Sequence, residues 1–283
     1  MSDFRIDEIS GSRAPFVAGT GFDLSIVGYQ QAEYALSGVA TAFTAASGRT
    51  QPADEADFAT RILVYRPIES ARFNGTVWVE WLNVSGGLDA APGWIHAHTE
   101  ITRRGAAWVG VSAQKTGVDG GSSLLGLAAT GLVGADPERY GSLHHPGDRF
   151  SYDVFTLASR LVRDGKGTIL DDLEITRVIA TGDSQSAFRL TTYVNDVDDL
   201  ARVHDGFMIH SRGGGAAPLD QEAQLSAAVE GDPVFFRDDL RVPVFCVEAE
   251  TDVITLQFIN ARQEEADKLS VWEMAGTSHA DMY

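Results

Sequence analysis

A single cysteine in 283 residues excludes any internal disulfide. Cys246 lies in the apolar run of residues 242–247, where a buried, inert thiol is the expected state. Positive charge is also short: 22 Lys and Arg against 40 Asp and Glu leave a formal net charge of −18. That sign argues against long-range attraction to nucleic acid or to an anionic membrane, and the acidity itself reads as a solubility device. No stretch approaches the roughly 20 apolar residues of a membrane span. The opening residues MSDFRIDEIS have neither the basic nor the apolar region of a signal peptide, so the expected location is cytoplasmic. The Gly86-Gly87 and Gly213-Gly214-Gly215 runs lack the G-x-G-x-x-G spacing, and no phosphate-loop lysine signature occurs. The expected cofactor is therefore none. No pair of histidines has neighbours that suggest a metal site, so no metal is expected either.

What is present is ordinary for a folded α/β protein: 44% hydrophobic and 22% charged residues in a chain long enough for one large domain. Residues 14–43 carry short apolar runs between glycines and read as an N-terminal antiparallel meander. Strands are expected at 61–67, 76–82, 106–111, 177–181, 206–210, 242–247 and 270–274. Helical spacing marks 94–104, 152–163, the stretch after residue 184, and 260–269. Strands alternating with helices from residue 76 onward imply a mostly parallel central sheet with helices on both faces. The expected organisation is a single domain over 1–283, with lid- or loop-like insertions near 112–150 and 213–241.

The stretch ITRVIATGDSQSAFRLTTYVNDV, residues 175–197, organises the rest. A β-branched run leads into Gly182-Asp183-Ser184-Gln185-Ser186, and Ala187, Leu190, Val194 and Val197 follow at helical spacing. A strand that turns directly into a helix through a small-residue pentapeptide centred on Ser is a nucleophile elbow. The tight turn demands small residues two before and two after the Ser. Gly182 meets that demand, while Ser186 stands where a second Gly is usual. This geometry exposes the Ser184 hydroxyl and aims the Gln185 backbone N–H, at the helix N-terminus, at any oxyanion formed there.

Ser184, Asp252 and His279 each fall at the C-terminal end of a different expected strand, the edge where sites form in an open parallel sheet. A Ser hydroxyl needs an imidazole to accept its proton, and the imidazole needs a carboxylate to fix its tautomer. Glu250 and Glu248 rival Asp252 for that last role. With these residues in this order, the chain resembles the α/β-hydrolase superfamily, and is similar to its esterase-like "α/β hydrolase domain-containing" branch. The phrases RYGSLHHPGDRFSYD, ATGDSQSAFRL, VPVFCVEAETDV and WEMAGTSHAD carry the resemblance, which covers nearly the whole chain. It implies Ser184 as nucleophile, His279 as base and the carboxylate after the seventh core strand as the third member. It also implies an oxyanion hole made by Gln185 and by an N–H of the 83–85 loop, from Asn83 or Val84.

The expected activity is hydrolysis of a small-molecule carboxylic ester through an acyl-enzyme. Two alternatives are an acyltransferase using the same triad and a non-catalytic binding protein with the hydrolase fold. Trp81, Trp94, His145 and His210 are the expected pocket residues. Only four residues follow His279, fewer than in chains of the branch it resembles. The expectation is either a truncated version of a longer protein or a chain end pinned by a neighbouring subunit in a homo-oligomer.

Overall fold

The computed structural model describes residues 4–279 apart from Ser12, Thr20, Ser47 and residues 123–127, 165–168 and 221–230. Its strands are β1 (Arg5–Glu8), β2 (Tyr29–Ala46), β3 (Arg49–Pro67), β4 (Thr76–Trp81), β5 (Ala107–Val111), β6 (Gly121–Ser122), β7 (Ala128–Ala129), β8 (Arg177–Asp183), β9 (Gly206–His210), β10 (Val244–Ala249) and β11 (Leu269–Met274). The described α-helices are α1 (Pro92–Arg104), α2 (Lys115–Asp119), α3 (Gly131–Ala135), α4 (Pro137–Tyr140), α5 (Ser151–Asp164), α6 (Gln185–Thr192), α7 (Asp198–Ala201) and α8 (Glu250–Thr255). Nine strands form one sheet in the order β1-β2-β3-β5-β4-β8-β9-β10-β11. From β5 through β11 every pairing is parallel, and the β1, β2 and β3 side is antiparallel.

Alternation along β4 shows how the layers are set. Val77, Val79 and Trp81 point into the core shared with α5 and α6, whereas Glu80 faces α1. The α1 helix starts after Ala91, which has no side-chain cap of its own. Glu80 supplies the cap from the neighbouring strand: its two oxygens accept the Gly93 N–H at 2.8 Å, the Trp94 N–H at 2.9 Å and the Trp108 indole N–H at 2.8 Å. Burial pushes its carboxyl up to about 8, against those bonds.

Three expectations need correction. The N-terminal antiparallel meander is present as β1, β2 and β3, but β2 and β3 form one long hairpin in which β3 runs from Arg49 rather than starting near residue 61. Residues 49–57 are polar and largely exposed, so no hydrophobic alternation marks them. Their register shifts between Thr41 and Phe43, opposite Pro52, where the imide cannot donate to a ladder. Residues 24–27, expected as strand, form a 3₁₀ turn started by Asp23, which accepts the Ser25 N–H at 2.9 Å. The helix expected at 260–269 is also absent: a 3₁₀ turn over Phe258–Ala261 is followed by irregular chain. Those residues offer little apolar surface to bury, and a short helix without packing is marginal.

Arg61 on β3 has no solvent exposure and ties the N-terminal segment to the sheet. Its guanidinium meets Asp89 at 2.7 Å, Glu33 at 3.3 Å, the Ser112 hydroxyl at 3.0 Å and the Phe16 carbonyl at 3.0 Å. Through Asp89 it holds the 83–91 loop, which bears on the site below. Arg61→Met should strand the Asp89 carboxylate in the interior and cost about 3–5 kcal/mol. Urea unfolding of the two chains checks this, and a loss below about 1 kcal/mol would contradict a structural role for the pair.

Candidate active site

The end of β8 turns into α6 within one residue, and the local interactions explain how. Ser184 adopts φ 54° and ψ −115°, a conformation that costs a non-glycine residue roughly 1–3 kcal/mol and persists only when neighbours impose it. The neighbours here are clear. The Ser184 N–H donates to the His210 carbonyl at 2.9 Å, and the Phe188 N–H donates to the Ser184 carbonyl at 3.1 Å. A Cβ at Gly182 would lie 2.9 Å from the Leu190 side chain and 2.9 Å from the Ser186 carbonyl, so that position must be glycine. Ser186, the departure from the usual second glycine, is fully buried and puts its hydroxyl to use. It accepts the Asp183 N–H at 2.9 Å and donates to the Asp183 carbonyl at 2.9 Å, stitching the turn shut.

Three strand ends converge on this turn. Ser184 Oγ lies 2.8 Å from His279 Nε2, and His279 Nδ1 lies 2.6 Å from Asp252 Oδ1. The His279 N–H donates to Thr251 Oγ1 at 2.7 Å, fixing the backbone that carries the ring. Asp252 is fully buried, and its other oxygen accepts the Ala249 N–H at 2.7 Å. Burial pushes the Asp252 carboxyl up, but the hydrogen bonds led by His279 outweigh it and hold the group below 3.8. The hydrogen bond to Asp252 in turn raises His279 above 6.5, against partial burial. Neither rival acid reaches the imidazole. Glu250 accepts the Gly276 N–H at 2.7 Å, while Glu248 is buried beside Arg212, accepts from Cys246 Sγ at 3.1 Å and is driven strongly toward its neutral form by burial.

The opposite side of Ser184 is formed by the N-terminus of α6 and the loop after β4. Gln185 is buried at the first helical position. Of the loop donors, the Asn83 N–H is committed to the Ala90 carbonyl at 2.9 Å, and the Ser85 N–H to Asn83 Oδ1 at 2.8 Å. The Val84 N–H makes only a long contact, 3.4 Å, with Gln185 Oε1. Of these three loop N–H groups, that of Val84 is the one without a short hydrogen bond. Asn83 serves differently, its side-chain amide donating to the Asp183 carbonyl at 2.9 Å and so holding the loop against the elbow.

A cavity of about 490 Å³ lies on the α1 face of the sheet, with Trp78, Ile95, Met208 and Met274 among its apolar walls and His96, Thr181, Asp183 and His210 among its polar residues; Ser184, Asp252 and His279 do not line it. Of the expected pocket residues, His210 is there. Trp81 is not: it is fully buried on the other face, packed 4.8 Å from the Phe155 ring, with its indole N–H donated to Gln114 at 3.0 Å. Trp94 is likewise core, against Tyr65 and Trp108. His145 is buried in the 112–150 segment, its Nε2 2.9 Å from the Ala113 carbonyl and its Nδ1 accepting the Gly147 N–H at 3.2 Å. Burial lowers its pKa, as suits a neutral ring bracing a loop. His96, on α1, also lines the cavity, and no local signal in the sequence distinguishes it. The four residues after His279 lie outside the described residues.

A mostly parallel sheet with an elbow serine, a histidine and a buried aspartate at its carboxyl edge is the architecture of an α/β hydrolase. The chain matches the family model described as "alpha/beta hydrolase domain" over residues 6–283, and belongs to that family. No curated protein matches it in sequence. Among solved structures it is similar to an α/β serine hydrolase without a lid from Xanthomonas campestris, at 11% identity, with 79% of this chain and 81% of that chain covered and a TM-score of 0.46. A lipase/esterase from Lactobacillus plantarum aligns at 11% identity over 83% of this chain and 91% of that one, with a TM-score of 0.45. No described helix is long and apolar enough to cross a membrane.

Proposed function

We propose that this chain is a serine hydrolase that cleaves a carboxylic ester through an acyl-enzyme on Ser184. The observation that carries the reading is the unbroken line from Ser184 Oγ through His279 to Asp252, at 2.8 Å and 2.6 Å. In the first half-reaction His279 Nε2 takes the hydroxyl proton as Oγ attacks the acyl carbonyl, and the tetrahedral oxyanion turns toward the Gln185 and Val84 N–H groups. Collapse expels the alcohol, protonated by His279, and leaves the acyl group on Ser184. Water then enters, loses its proton to the same imidazole, and the carboxylic acid departs as Ser184 recovers its proton. Asp252 stabilises the imidazolium at each step.

Hydrolysis of p-nitrophenyl esters tests the reading directly: saturable turnover is expected, and a rate no higher than that of heat-denatured protein would defeat it. The pH dependence follows from the raised pKa of His279. Only the neutral imidazole accepts the proton, so the form favoured by Asp252 at low pH is the inactive one. The kcat/KM should therefore climb with pH and level off only after passing an apparent pKa above 6.5. A profile flat between about pH 5 and 8 would rule out a histidine base.

A further inference from the structure

We infer that His96, Asp183 and His210 form a binding site for one divalent transition-metal ion of the zinc class, just beneath the elbow. The three residues come from α1, β8 and β9, and one ligand atom from each lies within 4.8 Å of the other two. Asp183 and His210 are register partners at the ends of adjacent parallel strands, which puts their side chains on the same face. A single carboxylate oxygen, Asp183 Oδ2, is the focus: His210 Nδ1 hydrogen-bonds it and His96 Nδ1 stands 3.9 Å away. The two imidazole rings meet edge to face with centroids 5.3 Å apart. Two imidazole nitrogens and one carboxylate oxygen make a ligand set that zinc accepts at about 2.0–2.2 Å, with a fourth position left for water.

The charge of the surroundings also suits a cation. Asp183 is almost fully buried, and its ion-pair partners among the described residues are these two histidines and no Lys or Arg. The cavity wall brings no Lys or Arg among its described lining residues, so a divalent ion would supply the missing positive charge, and the cavity leaves room for its water ligand. For the ion to bind there, His210 Nδ1 must give up its hydrogen bond to Asp183. This site does not depend on the ester-hydrolase reading.

Calorimetric titration of chelator-treated, full-length protein with Zn²⁺ should show saturable binding of about one equivalent, and Co²⁺ in its place should give the visible absorption of a low-coordinate nitrogen and oxygen site. His96→Ala removes a partly exposed ligand from the surface of α1, with the fold checked by circular dichroism. It should abolish both signals at ion concentrations that saturate the parent, as should Asp183→Asn. His144→Ala, at an exposed histidine outside the cluster, should leave them unchanged. The inference fails if the parent shows no saturable binding, if His96→Ala binds as the parent does, or if His144→Ala loses the ion equally.

Discussion

Ser184→Ala is expected to lower kcat for ester hydrolysis by about 10,000-fold or more, the scale seen when a serine nucleophile is removed from a triad. Ser184 has no substitute nearby. The Ser186 hydroxyl is fully buried and bonded within the turn on both its donor and acceptor sides, and Ser211 is fully buried at the end of β9. Losing the hydroxyl removes the covalent route altogether, so the residual rate would come only from the oxyanion donors and binding. The fold should be unharmed, because the contacts that hold the elbow use the backbone of Ser184 and the side chain of Ser186. Circular dichroism and a stopped assay with a p-nitrophenyl ester separate these effects. A variant that keeps more than about a tenth of the parent rate would contradict the assignment.

Asp252→Asn is expected to cost about 10,000-fold in kcat, because an amide facing His279 Nδ1 favours the tautomer that cannot accept the serine proton. The buried carboxylate is also acceptor to the Ala249 N–H, so a modest loss of stability should accompany the loss of rate. Glu250→Gln provides the contrast. Glu250 bonds a loop N–H at Gly276 and makes no bond to the imidazole, so its variant should keep kcat within about tenfold of the parent. The opposite ranking of the two variants would move the acid to Glu250.

The parts of the fold that were legible in the sequence are those where local pattern and tertiary demand agree. The apolar run before Ser184 becomes β8, and the 3–4 spacing after it becomes α6, because both elements bury what their periodicity displays. The order Ser, acid, His was readable for the same reason: each residue follows a strong strand. The hairpin arm over residues 49–57 was hidden because it is polar and exposed, so nothing apolar alternates there. Trp81 and His145 misled for another reason. Residue type places an aromatic or histidine near a pocket, but the face of the strand decides, and β4 turns Trp81 toward α5. The His96, Asp183 and His210 group was invisible because its members lie on three elements far apart in the chain, and only the parallel register of β8 and β9 brings two of them side by side.

The central claim is that Ser184 forms the covalent intermediate, and peptide mapping after reaction with a fluorophosphonate tests it most directly. The account predicts one adduct per chain, on the peptide that carries Ser184, and no labelling of Ser184→Ala. An adduct on Ser186 or Ser211, or labelling that persists undiminished in Ser184→Ala, would contradict it.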